Sequence, residues 1–452
     1  MTVRAILGLV VLNGFVLAVG GTVLFAVRGW RTWGELARLV GLAYLVGVGA
    51  CGCLWVAELV VGVPFTAATV VVTGLALAAV AVGIGWRLGR RLPPRPRPAL
   101  PHWRLTTALF AASTVVLLEA LFRAGRLRAL FEYDAWAFWV PKAKAIYFFH
   151  GLDEHFFSTL PGPSYPPLAP ALEAASFQFM GRADEVTLHL QFWFLFAGFV
   201  AAVVGLLSRR VPPLLLWPPL LLALVAPQAI GRVLQPQADL LLDEFVGGAA
   251  LLVALWILDR ERWQLVSATI LLAGAMVTKR EGFLLAACLL VAALAATVRD
   301  RRAWPGLAIA GLLAFLPSVP WRIWFETHGL SSDAPEAGGT GLFHHFDRAW
   351  PSLELTLRVL FTYDLWLLVA PLAVLAVAAA FLASRAALAV YAGLVLVFGV
   401  AGFTWITWSF PSLPITENPA LNPVIRSVGA LVIISAGLVP LLLASAWGRE
   451  QA

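Results

Sequence analysis

The chain has 452 residues, 61% of them hydrophobic and 13% charged, with a mean hydropathy of +0.86. No water-soluble fold hides that much apolar surface, so lipid is the solvent and a soluble globular protein is excluded. The net charge of +7 fits arginines in cytoplasmic loops and gives no reason to invoke nucleic acid.

Thirteen apolar stretches of roughly bilayer length, about 20 residues, predict an all-α polytopic membrane protein. They fall at 6–27, 36–61, 65–86, 105–122, 188–207, 214–230, 240–258, 265–278, 283–298, 307–325, 365–382, 387–408 and 427–447. The first follows Arg4, but it is too long for a signal-peptide core and runs on to Arg28 and Arg31, so it is read as a span. After the third comes GRRLPPRPRPALPHWR, a basic linker stiffened by proline. It divides a three-helix N-terminal segment, 1–104, from a ten-span remainder, 105–452. Arginines recur at 28–38, 87–104, 209–210, 260–262, 299–302, 385 and 449. These positions alternate along the chain and are expected to be cytoplasmic. The N-terminus is then outside and the C-terminus inside a plasma membrane, as an odd number of spans requires. Trp86, Trp103, Trp217, Trp263, Trp304 and Trp447 sit at the ends of these stretches, as interfacial aromatics do. Cys51, Cys53 and Cys288 lie in apolar stretches without a partner pair or nearby histidine, and read as small buried residues.

The longest interruption, 123–186, holds FEYDAWAFWVPKAKAIYFFHGLDEHFF and PGPSYPPLAPALEAASFQFMGRADE. Glu132 and Asp134 stand at the membrane edge. Pro141 is expected to open a short helix and Gly151 to close it. That helix carries Lys142 and Lys144 among aromatics and should lie in the interface. SYPPL, with Tyr165, then breaks the chain before a second apolar helix that ends at Met180 and Gly181. Asp153 and Glu154 form an adjacent acidic pair between the two.

The remaining polar groups fall on the same predicted outer face. In QADLLLDEF, Asp239 and Asp243 are four apart and share a helix face, with Asp243 and Glu244 deeper. Carboxylates that enter a bilayer are costly and mark function, unless a cation such as Arg232 satisfies them structurally. TKREG forces Lys279, Arg280 and Glu281 together in a short turn, and Arg426 opens the last span after PSLPITENPALNP, which contains Glu417 and Asn418. The chain has only three lysines, Lys142, Lys144 and Lys279, and all three fall outside, where an anionic substrate would explain them. Snorkelling is the bland explanation for any one of them. His344 and His345 are adjacent on one loop and make weak metal ligands.

A carboxylate, several cations and a cavity at the outer bilayer surface suit transfer of a sugar from a lipid phosphate. The phosphate leaving group needs cations rather than a general acid. The acceptor hydroxyl needs one base, and in-line displacement inverts the anomeric centre. From about Leu105 onward the chain resembles the GT-C glycosyltransferase superfamily, whose members use polyprenyl-phosphate sugars. YDAWAFWVPKAKAIY is similar to the family's first outer loop and implies Asp134 as general base, with Glu132 beside it. QADLLLDEF is similar to the second acidic site and implies Asp239. TKREG is similar to the Lys/Asn-Glu-Gly turn of relatives, and Arg426 to their late arginine. The resemblance implies that Lys142, Lys144, Tyr165, Asp243, Lys279, Arg280, Glu281 and Arg426 bind substrate. It implies a glycan, lipid or protein acceptor, and Mg or Mn only if Asp239 orients a divalent cation. The chain departs from the family in three ways: Glu132-x-Asp134 replaces two adjacent acids, no large soluble C-terminal domain is recognised, and three extra spans precede the core. A transporter or flippase of a lipid-linked sugar is the alternative. It calls for matched polar residues near the midplane, and Glu58, Glu119 and Asp364 form no such set.

Overall fold

The computed structural model describes residues 1–93, 105–330, 345–409, 415 and 424–448, and all secondary structure among them is helical. Side-chain caps set several starts. Thr2 accepts from the Ala5 N–H at 3.3 Å, Thr32 from Glu35 at 3.1 Å, Thr66 from Thr69 at 3.2 Å and Asp184 from Thr187 at 3.0 Å. Each satisfies a backbone donor that the first helical turn leaves unpaired.

Among the described residues, nine helical runs are long and apolar enough to cross a bilayer. The chain is therefore a multi-pass membrane protein. Pro213–Leu224 and Pro227–Val233 make a tenth only if counted together, and they meet at 69°. Thirteen spans are not reached, and length is the reason. The stretches at 265–278, 283–298 and 365–382 become Arg262–Thr278, Glu281–Ala296 and Val369–Leu382, of 17, 16 and 14 residues. At 1.5 Å per residue these extend about 21–26 Å, less than the hydrocarbon core of about 30 Å.

Ala238–Asp259 is the axis of the bundle and is buried from Ala238 to Ile257, whereas Leu105–Gly125 at the rim buries only Thr114, Leu121 and Gly125. It packs on Arg262–Thr278, Val424–Ala446, Glu185–Leu207 and Glu281–Ala296. The central place follows from its sequence. Asp239, Asp243 and Glu244 occupy its first two turns, and carboxylates at that depth must face protein rather than lipid. The first helices are built into the same bundle. Val3–Val27 crosses Val40–Val60 at Gly20 and Gly47, where an added Cβ would stand 1.8 Å from the Ala43 carbonyl oxygen and 2.1 Å from that of Val16. Small residues permit such contact where lipid supplies no hydrophobic driving force. Val40–Val60 in turn packs on Glu185–Leu207 and Arg262–Thr278.

The arginine-rich turns meet at one end. Arg28 lies over Trp263 at 5.1 Å, Arg38 donates to the Gly205 carbonyl at 3.4 Å, and Arg210 pairs with Asp259. Arg260 pairs with Asp300 at 3.2 Å, Arg90 donates to Val27 at 3.2 Å, and Arg385 donates to Ser445 at 3.3 Å. Lys279 and Asp239 meet at the other end.

Between Leu105–Gly125 and Glu185–Leu207 a π-helical turn, Ala135–Trp139, runs into Val140–Phe149, followed by Glu154–Thr159 and Leu168–Met180. Pro141 sits in a first turn as expected. The left-handed closing residue is His150, with φ 57°, rather than Gly151, and Gly181 closes the later helix with φ 72°. Asp153 caps Glu154–Thr159 by accepting from the Phe156 N–H at 2.7 Å. Cys51, Cys53 and Cys288 are free thiols. Trp103, His344, Glu417 and Asn418 lie outside the described residues.

Candidate functional site

Asp134 immediately precedes the π-helical turn, a distortion that recurs at functional sites. Its carboxylate pairs with the guanidinium of Arg426, from the first turn of Val424–Ala446. Glu132 is held through its backbone instead. The N–H groups of Phe131 and Glu132 point to Gln235 Oε1 at 3.5 and 3.4 Å, which anchors this segment to the approach to Ala238–Asp259. The Asp134 side chain is 12% exposed and that of Arg426 is 35% exposed, so Arg426 is the more open of the two partners.

Arg232 joins this pair to the central helix. It pairs with Asp243, donates to the carbonyl of Ile425 at 3.0 Å and to that of Arg426, and lies over the Trp366 ring at 5.5 Å. The sequence offered Arg232 only as a structural partner for the buried acids, and it is that partner for Asp243. One guanidinium thus ties the bent Pro227–Val233 segment to Ala238–Asp259 and to the start of Val424–Ala446. A planar group with five donors suits three acceptors in different directions.

One turn up the central helix, Asp239 accepts from Lys279 at 2.9 Å, and Lys279 also faces Glu281 at 3.3 Å. Burial alone would lower the pKa of Lys279. Asp239, Glu281 and Tyr165 outweigh burial and hold it above its usual range, so the ammonium stays charged. The Tyr165 ring lies 5.7 Å from Lys279 and 5.7 Å from the Arg280 guanidinium. The Glu281 carboxylate, with burial second, pushes the Tyr165 hydroxyl up to about 12. Asp239 Oδ2 and Glu281 Oε2 are buried and accept no hydrogen bond among the described residues.

The fold therefore forms two groups of contacts one turn apart on the central helix: Asp134, Arg426 and Asp243 joined through Arg232, and Asp239, Lys279 and Glu281 with Tyr165 and Arg280. The other two lysines sit differently. Lys142 is buried, donates to the Gly162 carbonyl and is ringed by Phe138, Trp139 and Phe157 at 5.3, 5.9 and 5.8 Å. It faces the interior of the segment between Leu105–Gly125 and Glu185–Leu207. Lys144 pairs with Glu185 at the start of Glu185–Leu207, apart from both groups. Glu58 accepts from Thr73, and Glu119 pairs with the exposed Arg123 at 2.6 Å.

The donor set does not suit Mg or Mn. Asp134, Asp239, Asp243 and Glu281 each face a guanidinium or ammonium, so a divalent ion bound through Asp239 would sit against the Lys279 charge. Among the described residues no group of three His, Cys, Asp or Glu has metal-binding geometry. Sequence reasoning left out Trp366 and gave Arg232 only a supporting part. The signal available for Arg232 was its place seven residues before Asp239, in the same polar segment.

Fold and site together define a multi-pass, all-helical membrane protein with a buried acid–cation network at one end of the bundle. No protein-family model, curated protein or solved structure matches the chain.

Proposed function

We propose that the protein is an integral-membrane inverting glycosyltransferase of GT-C type. It moves a sugar from a polyprenyl-phosphate donor to an acceptor hydroxyl on the outer face of the plasma membrane. The observation that carries this reading is the Asp134–Arg426 pair: an acid suited to be a base and a cation suited to a phosphate, from opposite ends of residues 105–452, share one contact.

The chemistry follows from the charges. A hydroxyl oxygen of the acceptor attacks the anomeric carbon, and the bond from that carbon to the phosphate oxygen breaks. The proton goes to the Asp134 carboxylate and the electron pair leaves with the phosphate, which gains one negative charge. Arg426 and Arg280 meet that charge, and Lys279 adds a fixed positive field beneath it. Without donor, Arg426 neutralises Asp134. A phosphate competes for the guanidinium and frees a carboxylate oxygen for the acceptor hydroxyl, which links donor binding to activation of the base. Arginines gathered at the opposite end support a cytoplasmic location for that end, with the N-terminus outside and the C-terminus inside.

The deciding experiment incubates purified protein with a panel of radiolabelled polyprenyl-phosphate sugars and candidate acceptors. Transfer by the wild type and its loss in Asp134→Asn are expected. Movement of the lipid-linked sugar across a proteoliposome bilayer without transfer would instead identify a flippase. Sidedness is tested by single cysteines at His155 and Arg31, both exposed, in a background lacking the native thiols. They should label from opposite sides of the membrane, and labelling from one side would reject the orientation.

A further inference from the structure

We propose that the arginine end carries a binding site for one anionic phospholipid, separate from the acid–cation network and independent of the reaction assigned to it. A cavity of about 530 Å³ lies between Val3–Val27, the start of Val40–Val60 and the end of Ala67–Arg87. Its floor is one face of the first helix. Gly14, Ala18 and Gly21, with Leu17 and Phe25, recur at helical spacing and cover about 16 Å at 1.5 Å per residue. An added Cβ on Gly14 or Gly21 would meet nothing within 4 Å, so both glycines open directly onto the hollow. Its single hydroxyl, Thr22, already donates to the Val19 carbonyl at 2.7 Å. A water there would lack the two or more partners that hold buried water, whereas a hydrocarbon chain needs none.

The mouth supplies the head-group chemistry. Trp30 and Trp86 line the cavity, and Arg31 and Arg87 directly follow them in the chain. Leu92 also lines it, preceded by Arg91. The side chains of Arg31, Arg87 and Arg91 are exposed and make no ion pair among the described residues. Glu35, the only acid of the adjoining turn, is already engaged by Arg28 at 2.6 Å and Arg38 at 4.0 Å. The mouth therefore keeps a positive excess beside an apolar slot. That pairing suits a phosphate-bearing lipid with net negative charge, its acyl chain in the slot. The polyprenyl donor does not fit the same description, since its phosphate belongs at the opposite end of the bundle.

The test is native mass spectrometry of the full chain in detergent, titrated with phosphatidylglycerol or with phosphatidylcholine of the same acyl chains. The wild type should retain one phosphatidylglycerol, at least about tenfold more tightly than phosphatidylcholine. Gly14→Leu with Gly21→Leu should fill the slot and abolish retention of both lipids, with an unchanged melting temperature. Arg31→Gln, Arg87→Gln and Arg91→Gln together should keep the slot and bring the ratio of the two lipids close to one. Equal retention in wild type and the filled-slot variant would overturn the proposal, as would a lipid ratio unmoved by the triple arginine change. Displacement of the bound lipid by a polyprenyl phosphate in preference to phosphatidylglycerol would also overturn it.

Discussion

The guanidinium carbon of Arg232 lies 2.2 Å from where a Cβ on Gly429 would stand. The last helix therefore approaches Arg232 only because residue 429 has no side chain. Gly429→Ala should push the guanidinium off the Ile425 and Arg426 carbonyls and destabilise the fold by about 1–3 kcal/mol, the usual cost of overpacking. Arg232→Met should cost more, about 3–5 kcal/mol, because it leaves Asp243 buried without its cation. Adding Asp243→Leu should recover most of that loss. Thermal melts of the purified variants measure all three, and no recovery in the double variant would show that the pair is not the main role of Arg232.

Asp134→Asn keeps the shape of the side chain and removes the proton acceptor. General-base catalysis commonly contributes about 10²–10⁴-fold, so turnover at saturating donor should fall by at least 100-fold or so while the protein still folds. Glu132→Gln should matter less, since the contacts that hold Glu132 are made through its backbone. Asp239→Asn should be intermediate, because Lys279 retains Glu281. Near-normal turnover in Asp134→Asn with a dead Asp239→Asn would move the base to Asp239.

Arg426→Ala and Arg280→Ala should each raise the donor concentration required by about tenfold, the equivalent of losing about 1.4 kcal/mol of phosphate contact. Lys279→Ala is a different experiment. Lys279 is buried against Asp239, so its loss should lower the melting temperature as well as weaken donor binding. Asp239→Asn in the same chain should restore the melting temperature without restoring donor affinity. Unchanged donor affinity in all of these variants would leave the cations with a structural role alone.

Glu173 is fully buried on Leu168–Met180, and neither of its carboxyl oxygens has a hydrogen-bond partner among the described residues. Burial pushes its pKa well above the carboxylate range. The folded chain thus holds a proton that the unfolded chain releases near pH 4.5. Stability from this group is complete below that pH and falls as pH rises towards the folded-state pKa. Glu173→Gln should therefore melt at a higher temperature than the wild type at pH 8, with the gap shrinking at pH 5. A gap independent of pH would mean that Glu173 is not protonated in the fold.

The membrane character, the all-helical class and the placement of the acids at helix starts were legible in the sequence, because lipid demands long apolar helices and makes every buried charge conspicuous. The nature of the segment at 123–186 was legible too, as a proline-started helix beside aromatics. Its detail was not: the left-handed φ fell on His150, one residue before the glycine that seemed made for it. Span count was less legible: among the described residues nine runs reach bilayer length, because apolarity also persists through helices of only 14 to 17 residues. The resemblance implied that Lys142 binds substrate; the local packing of its ammonium against the Gly162 carbonyl and three aromatic rings was not legible along the chain. Pairing is the part that only tertiary structure decided. Which cation meets which acid depends on helix rotation and on close approaches such as that of Gly429 to Arg232, and neither leaves a local signature along the chain.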